Sequence, residues 1–158
     1  MHEKLYQTGT LSSVPLREYT QDLVRQIGLG SDVLGRNIQL QCDIAAVEAS
    51  LDVAVPFGLL VTELIVNCLK HAFKGRSDVG NPGNNSDNIS ITVLPQGENL
   101  CLRVADNGVG LPEGFVLGAA QSMGLQLAAS LAMQLGGELQ AHNDGGAVFT
   151  TTLPRLIV

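Results

Sequence analysis

The stretch VPFGLLVTELIVNCLKHAF, residues 55–73, belongs to the longest apolar run in the chain, yet it carries Glu63, Asn67, Lys70 and His71. At about 100° per residue these four, with Lys74, fall on one stripe of a helix, while Leu64, Ile65, Cys68, Leu69, Ala72 and Phe73 cover the rest. A helix this apolar has to be buried, so its polar stripe has to face something other than the core. Glu63 and Asn67 are one turn apart and project together. An amide oxygen suits Mg²⁺, and a neighbouring carboxylate can position or deprotonate a hydroxyl or water. The same residues also suit a solvated face with an i,i+4 pair, and His71 a half-buried imidazole.

Around this helix the pattern changes period. PLREYTQDLVRQI, residues 15–27, spaces Leu16, Tyr19, Leu23, Val24 and Ile27 as an amphipathic helix. NIQLQCDI alternates as a half-buried strand, and a second extended piece is expected over about 47–53. Pro56 is expected to open the long helix and Gly75 to stop it after Lys74. Residues 75–88 have the Gly, Asn, Ser and Pro content of a surface loop, expected to be poorly ordered. NISITVLP and NLCLRVAD then read as an antiparallel hairpin, residues 125–135 as a helix ended by Gly136 and Gly137, and GELQAHN with GAVFTTTLP as a last hairpin. Hairpins linked by tight turns predict an α+β two-layer sandwich with a mixed, mostly antiparallel sheet and helices on one face.

The 158 residues suit one domain. A net charge of −6 with no basic run argues against a nucleic-acid or anionic-membrane partner, but a nucleotide's phosphates can be met locally by a metal ion, a lysine and a helix N-terminus. Cys42, Cys68 and Cys101 are odd in number and set among apolar neighbours, which reads as free core thiols in a reducing compartment. There is no signal core near Met1, and no apolar stretch nears 18 residues without a polar break, so a cytoplasmic location with no membrane contact by this piece is expected.

Asp106, Gly108 and Gly110 stand in DNGVGLP, directly after an apolar strand. A carboxylate at a strand end can accept a hydrogen bond from an exocyclic amine, and glycines let the backbone pass close to a flat ring. An ordinary Asp-Asn-Gly turn uses the same letters, apart from the second glycine. Gly124 opens the next helix, where unpaired N–H groups can meet a phosphate, although Ser122 as N-cap with a flexible glycine explains it equally. Gly145 and Gly146 suit either a ligand or a hairpin turn.

Taken in order, E-x-x-x-N-x-x-K-H, D-x-G-x-G after a strand, G-L-x-L opening a helix and a Gly-Gly turn resemble the GHKL (Bergerat-fold) superfamily of ATP-binding domains over residues 15–154. The long helix is most similar to bacterial sensor histidine kinases related to the HWE group. The segment MHEKLYQTGTLSSVPLREYTQDL resembles what leaves their dimerisation and phosphoacceptor domain. Residues 1–14 would then end that linker and 15–158 form the catalytic domain.

The resemblance implies a role for each position. Asn67 would coordinate Mg²⁺, Glu63 would orient groups at the γ-phosphate or act as base, and Lys70 and His71 would contact phosphates. Asp106 would receive the adenine amine, with Gly108 and Gly110 shaping the base pocket. Gly124 and Leu125 would lie at a helix start beneath the phosphates, Gly145 would join the nucleotide contacts, and residues 111–122 would form a short lid. Thr62 and Cys68 depart from the family pattern, which commonly has Asn and Ala there. The phosphoacceptor motif is missing, since His2, His71 and His142 all stand in the wrong context.

The implied activity is transfer of the γ-phosphoryl group of ATP to a His on a separate dimerisation domain, in two-component signalling that reaches a response regulator indirectly. The implied ligands are ATP or ADP and Mg²⁺, and the parent protein would be soluble or membrane-anchored. The alternative is a stand-alone anti-sigma-factor-type GHKL serine kinase, which has no reason to begin with HEKLYQ.

Overall fold

The computed structural model describes residues 13–30, 37–73, 87–118 and 122–154. Its elements are β1 (Ser13–Pro15), α1 (Leu16–Gly28), β2 (Gln39–Ile44), β3 (Glu48–Ser50), α2 (Leu51–His71), β4 (Asn88–Gln96), β5 (Asn99–Asp106), α3 (Met123–Gln134), β6 (Gln140–Asn143) and β7 (Ala147–Pro154). The expected loop over 75–88 lies outside the described residues except for its end, and so do Lys74, the Gly75 stop and nearly all of the linker assigned to residues 1–14.

Five strands form one sheet in the order β2-β4-β5-β7-β6, and β1 pairs β3 in a separate two-stranded ribbon. The β4–β5, β5–β7 and β7–β6 pairings are antiparallel, as short hairpin turns require. β2 and β4 run parallel because α2 intervenes between them. Asp106 ends β5, the middle strand, paired with Ile89 of β4.

Alternation along the strands gives the sheet two unlike faces. Ile89, Ile91 and Val93 of β4, Leu100, Leu102 and Val104 of β5, and Phe149 and Leu153 of β7 are buried in one core with Phe57, Leu60, Leu64 and Ile65 of α2 and Leu125, Ala128 and Leu131 of α3. Each such aliphatic or aromatic side chain contributes about 1.5–3 kcal/mol when fully removed from water. The other face carries Ser90, Thr92, Arg103, Thr150 and Thr152, partly or fully exposed. The helices therefore need to cover only one face.

The long helix begins earlier than its proline suggests. Ser50 is extended at the N-cap, α2 starts at Leu51, and Pro56 lies inside it. Pro56 leaves the carbonyl of Asp52, an exposed residue in the first turn, without its helical N–H. The extended piece before it shrinks to Glu48–Ser50. By length and composition alone α2 would pass for a membrane span, at 21 residues with a mean hydropathy of 1.7, but half of that window is buried inside this fold. Of the three free cysteines only Cys68 is fully buried; Cys42 and Cys101 are half-buried at strand positions.

Candidate functional site

A cavity of about 550 Å³ opens between the C-terminal end of α2, the turn after β5 and the start of α3. Its lining includes Asn67, Cys68, His71 and Ala72 from α2, Asp106 and the segment Val109 to Pro112 with Phe115, then Ser122 and Leu125, and Ala147 at the start of β7. The volume lies in the range of small-molecule sites, and the walls are mainly apolar with a few polar groups aimed inward.

Asp106 is the polar anchor, with only 7% of its surface exposed. Its Oδ1 accepts the Gly108 N–H at 2.9 Å and the Ala147 N–H at 3.0 Å, which fixes the carboxylate at the end of the middle strand. Cys68 sits beside it. Burial, then the Asp106 charge and the hydrogen bond between thiol and carboxylate, hold the Cys68 thiol well above the ordinary cysteine range. That thiol therefore stays protonated at neutral pH and is a poor nucleophile.

Two glycines make this arrangement possible by absence of a side chain. A Cβ on Gly108 would lie 2.1 Å from the carbonyl oxygen of Ala72, the same oxygen that accepts the Val109 N–H at 2.7 Å. A Cβ on Gly146 would lie 2.1 Å from the backbone oxygen of Asp106. Both glycines let neighbouring chain pass against the anchor strand or helix end. Gly110, with φ of +84°, turns the chain beside Asn143. Asn143 then clamps the next residue, accepting the Leu111 N–H at 2.7 Å and donating to the Leu111 carbonyl at 3.2 Å.

The start of α3 forms the opposite wall. The Ser122 hydroxyl accepts the Leu125 N–H at 3.3 Å, so the helix is capped as the sequence allows. A Cβ on Gly124 would lie 2.9 Å from Glu63 Oε1, which places that carboxylate against the first turn of α3. Among the described residues no group of three or more His, Cys, Asp or Glu is placed to hold a metal. Asn67, in the lining, offers an amide oxygen of the kind that suits Mg²⁺ held mainly by a ligand's own phosphates.

The predicted residues divide accordingly. Asn67, His71, Asp106, Gly110 and Leu125 line the cavity; Gly108 and Gly124 lie directly behind its wall, and Glu63 reaches the α3 start. Lys70 is exposed and outside the lining. Gly145 also stands outside it, in the β6–β7 turn with φ of +70° and open space where a Cβ would stand, so the close approach falls to Gly146. Cys68, Ala72 and Asn143 join the site without a sequence signal. Cys68 and Ala72 read as core positions of an amphipathic helix, and nothing local to Asn143 announces its partner 32 residues away. Of the segment expected as a lid, residues 111–118 and Ser122 are described, with Leu111, Phe115 and Leu117 packed against the core.

Residues 52–157 match the family model for histidine kinase-, DNA gyrase B- and HSP90-like ATPases. The chain belongs to this family. Blue-light-activated histidine kinase 2 of Erythrobacter litoralis is 29% identical over 144 residues, covering 89% of this chain and 38% of that protein. Sensor histidine kinase PdtaS of Mycobacterium tuberculosis is 28% identical over 113 residues, covering 63% of this chain and 21% of its own. The solved histidine kinase domain of the Erythrobacter litoralis EL346 blue-light-activated kinase superposes with a TM-score of 0.76 at 25% identity, over 89% of this chain and 61% of that one. The catalytic domain of histidine kinase ThkA shares the fold at a TM-score of 0.68 and 17% identity, over 90% and 94% of the two chains. The chain is thus an ATPase domain of the kind sensor histidine kinases carry, and it spans well under half the length of the matched relatives.

Proposed function

We propose that this GHKL domain binds Mg·ATP in the cavity beside Asp106 and donates the γ-phosphoryl group to a histidine on a separate dimerisation domain of its parent, as part of two-component signalling in the cytoplasm. The observation that carries the reading is the buried Asp106, its Oδ1 held by two backbone donors in the wall of a 550 Å³ cavity. Such a carboxylate offers an acceptor to an exocyclic amine, while the apolar walls and Leu125 suit a flat base.

Asn67 holds the cation on the triphosphate, which would supply neutralisation of phosphate charge. His71 and Lys70 contact phosphates, the latter reaching from its exposed position, and the start of α3 with Gly124 receives the chain of phosphates at its dipole. Glu63, against that helix start, orients groups at the γ-phosphate. Gly108 and Gly110 shape the base pocket, Gly145 belongs to the turn next to it, and residues 111–122 act as the lid. Catalysis of this type rests on positioning and charge stabilisation, which is what such side chains provide. Residues 1–14 are the end of the linker from the phosphoacceptor domain, so the response regulator is met only through that domain.

The test combines γ-labelled ATP, this chain and a sensor-kinase dimerisation domain supplied in trans. Acid-labile, base-stable label on that domain, lost in Asn67→Ala, is expected. Acid-stable serine label on a partner protein instead would favour the anti-sigma-factor type of kinase. In binding assays Asn67→Ala should abolish the Mg²⁺ dependence of ATP affinity while leaving metal-free binding in place.

A further inference from the structure

The outer surface of the helical layer is apolar where the cavity does not need it. Over residues 51–60 of α2 the exposed side chains are Leu51, Asp52, Val55 and Leu59, and the three apolar ones recur at every fourth position. They are 51%, 47% and 49% exposed. α2 meets α1 at Gly58, where a Cβ would collide with the Tyr19 hydroxyl, and meets α3 at Glu63, which lies against Gly124. At about 100° per residue, Leu51, Val55 and Leu59 fill the arc between those two contacts. On the neighbouring helix α3 the exposed residues are Met123, Gln126, Leu127, Ser130, Met133 and Gln134, without one charged side chain. A helix face turned to water ordinarily carries charge, whereas loss of charge with Met in its place marks the centre of a protein contact.

What covers this row follows from where the chain enters the domain. β1 runs antiparallel to β3, with Ser13 opposite Ser50, the N-cap of α2. Traced backwards from Ser13, the chain therefore leaves the ribbon beside Leu51, heading as β3 heads into α2. Twelve residues precede Ser13, and Met1, Leu5, Tyr6 and Leu11 are the apolar ones among them. From Leu51 to Leu59 the row is only about 12 Å long at 1.5 Å per residue, well within the reach of such a segment. We propose that residues 1–12 of this chain lie along Leu51, Val55 and Leu59, with Leu5 and Tyr6 as the apolar contacts. The direction in which the chain enters is thereby tied to the two helices whose other ends, at Asn67 and Ser122, line the cavity. This holds whatever the cavity binds.

The experiment is nuclear magnetic resonance on the full chain at two protein concentrations, compared with a full chain carrying Leu5→Ser and Tyr6→Ser together. In the wild-type chain, Overhauser contacts are expected between the Leu5 and Tyr6 side chains and the methyl groups of Val55 and Leu59. The double variant should shift the methyl resonances of Leu51, Val55 and Leu59 and leave those of the sheet core in place. Leu59→Ser is expected to shift Leu5 and Tyr6 in return. The wild-type contacts decide the matter even where a substitution unfolds the chain. Their absence would overturn the inference. So would stripe methyl shifts that depend on protein concentration, which would make a second copy the occupant. A sensor-kinase dimerisation domain added in trans that shifts the same methyl groups equally in the wild type and the double variant would overturn it too.

Discussion

Asp106→Asn separates the binding role of the carboxylate from its structural one. In the native chain Oδ1 satisfies the N–H groups of Gly108 and Ala147. Asp106→Ala strands both, the Ala147 N–H buried and the Gly108 N–H partly so, and an orphaned buried N–H costs about 1–3 kcal/mol, so the loss of stability would obscure any binding result. Asn keeps an oxygen for those two donors and turns an NH₂ toward the cavity. A donor then meets the base amine where an acceptor is needed. Losing a hydrogen bond to a charged acceptor costs about 1.5–3 kcal/mol, a fall in ATP affinity of about tenfold to over a hundredfold. Calorimetric titration with ATP, alongside urea unfolding, reads both quantities. A folded Asp106→Asn chain that binds ATP as tightly as wild type would refute the assignment of Asp106 to the base.

Gly146→Ala should destabilise the domain by roughly 2–6 kcal/mol, combining overpacking against the Asp106 backbone with strain at φ of +152°, whereas Gly145→Ala should cost only about 1–2 kcal/mol; chemical denaturation distinguishes them. Asn143→Ala removes both hydrogen bonds that clamp Leu111 and should speed hydrogen exchange at the Leu111 amide by about tenfold or more, with the core of the sheet unaffected. Raised thiol pKa values at Cys68 and Cys42 mean that above about pH 8.5 the unfolded chain sheds protons the native chain retains. The stability present below that pH is therefore lost progressively as pH rises toward the folded values. Urea unfolding between neutral and alkaline pH should show a shallower decline in Cys68→Ala than in wild type.

Much of this site can be read from the chain before any coordinates. The stripe of Glu63, Asn67 and His71 follows from helical spacing, and Asp106 from the end of an alternating strand, because both depend on local periodicity. The start of α2 departs from its sequence signal for a local reason as well: a proline usually marks a first turn, but Pro56 stands in the second, where it deprives only the carbonyl of the exposed Asp52 of its helical partner. Other features depend on contacts between distant segments. Gly145 and Gly146 are interchangeable as turn residues until β7 is laid beside β5, when only Gly146 is found to abut Asp106. Cys68 looks like one more core residue because helical periodicity gives the direction of a side chain and not what stands opposite it. The clamp by Asn143 joins positions 32 residues apart, and no short-range pattern carries it. The parallel β2–β4 pairing is likewise set by the crossover through α2, not by either strand's own sequence.

Every role assigned to these side chains depends on ATP occupying the cavity between α2, the turn after β5 and the start of α3. Amide chemical-shift mapping of the chain during titration with Mg·ATP reads that occupancy residue by residue. Perturbations are expected to concentrate at Asn67 to Ala72, Asp106 to Phe115, Ser122 to Leu125 and Ala147, with the exposed sheet face around Thr92, Arg103 and Thr150 unchanged. Saturable shifts confined to any other surface, or none at all, would contradict the assignment.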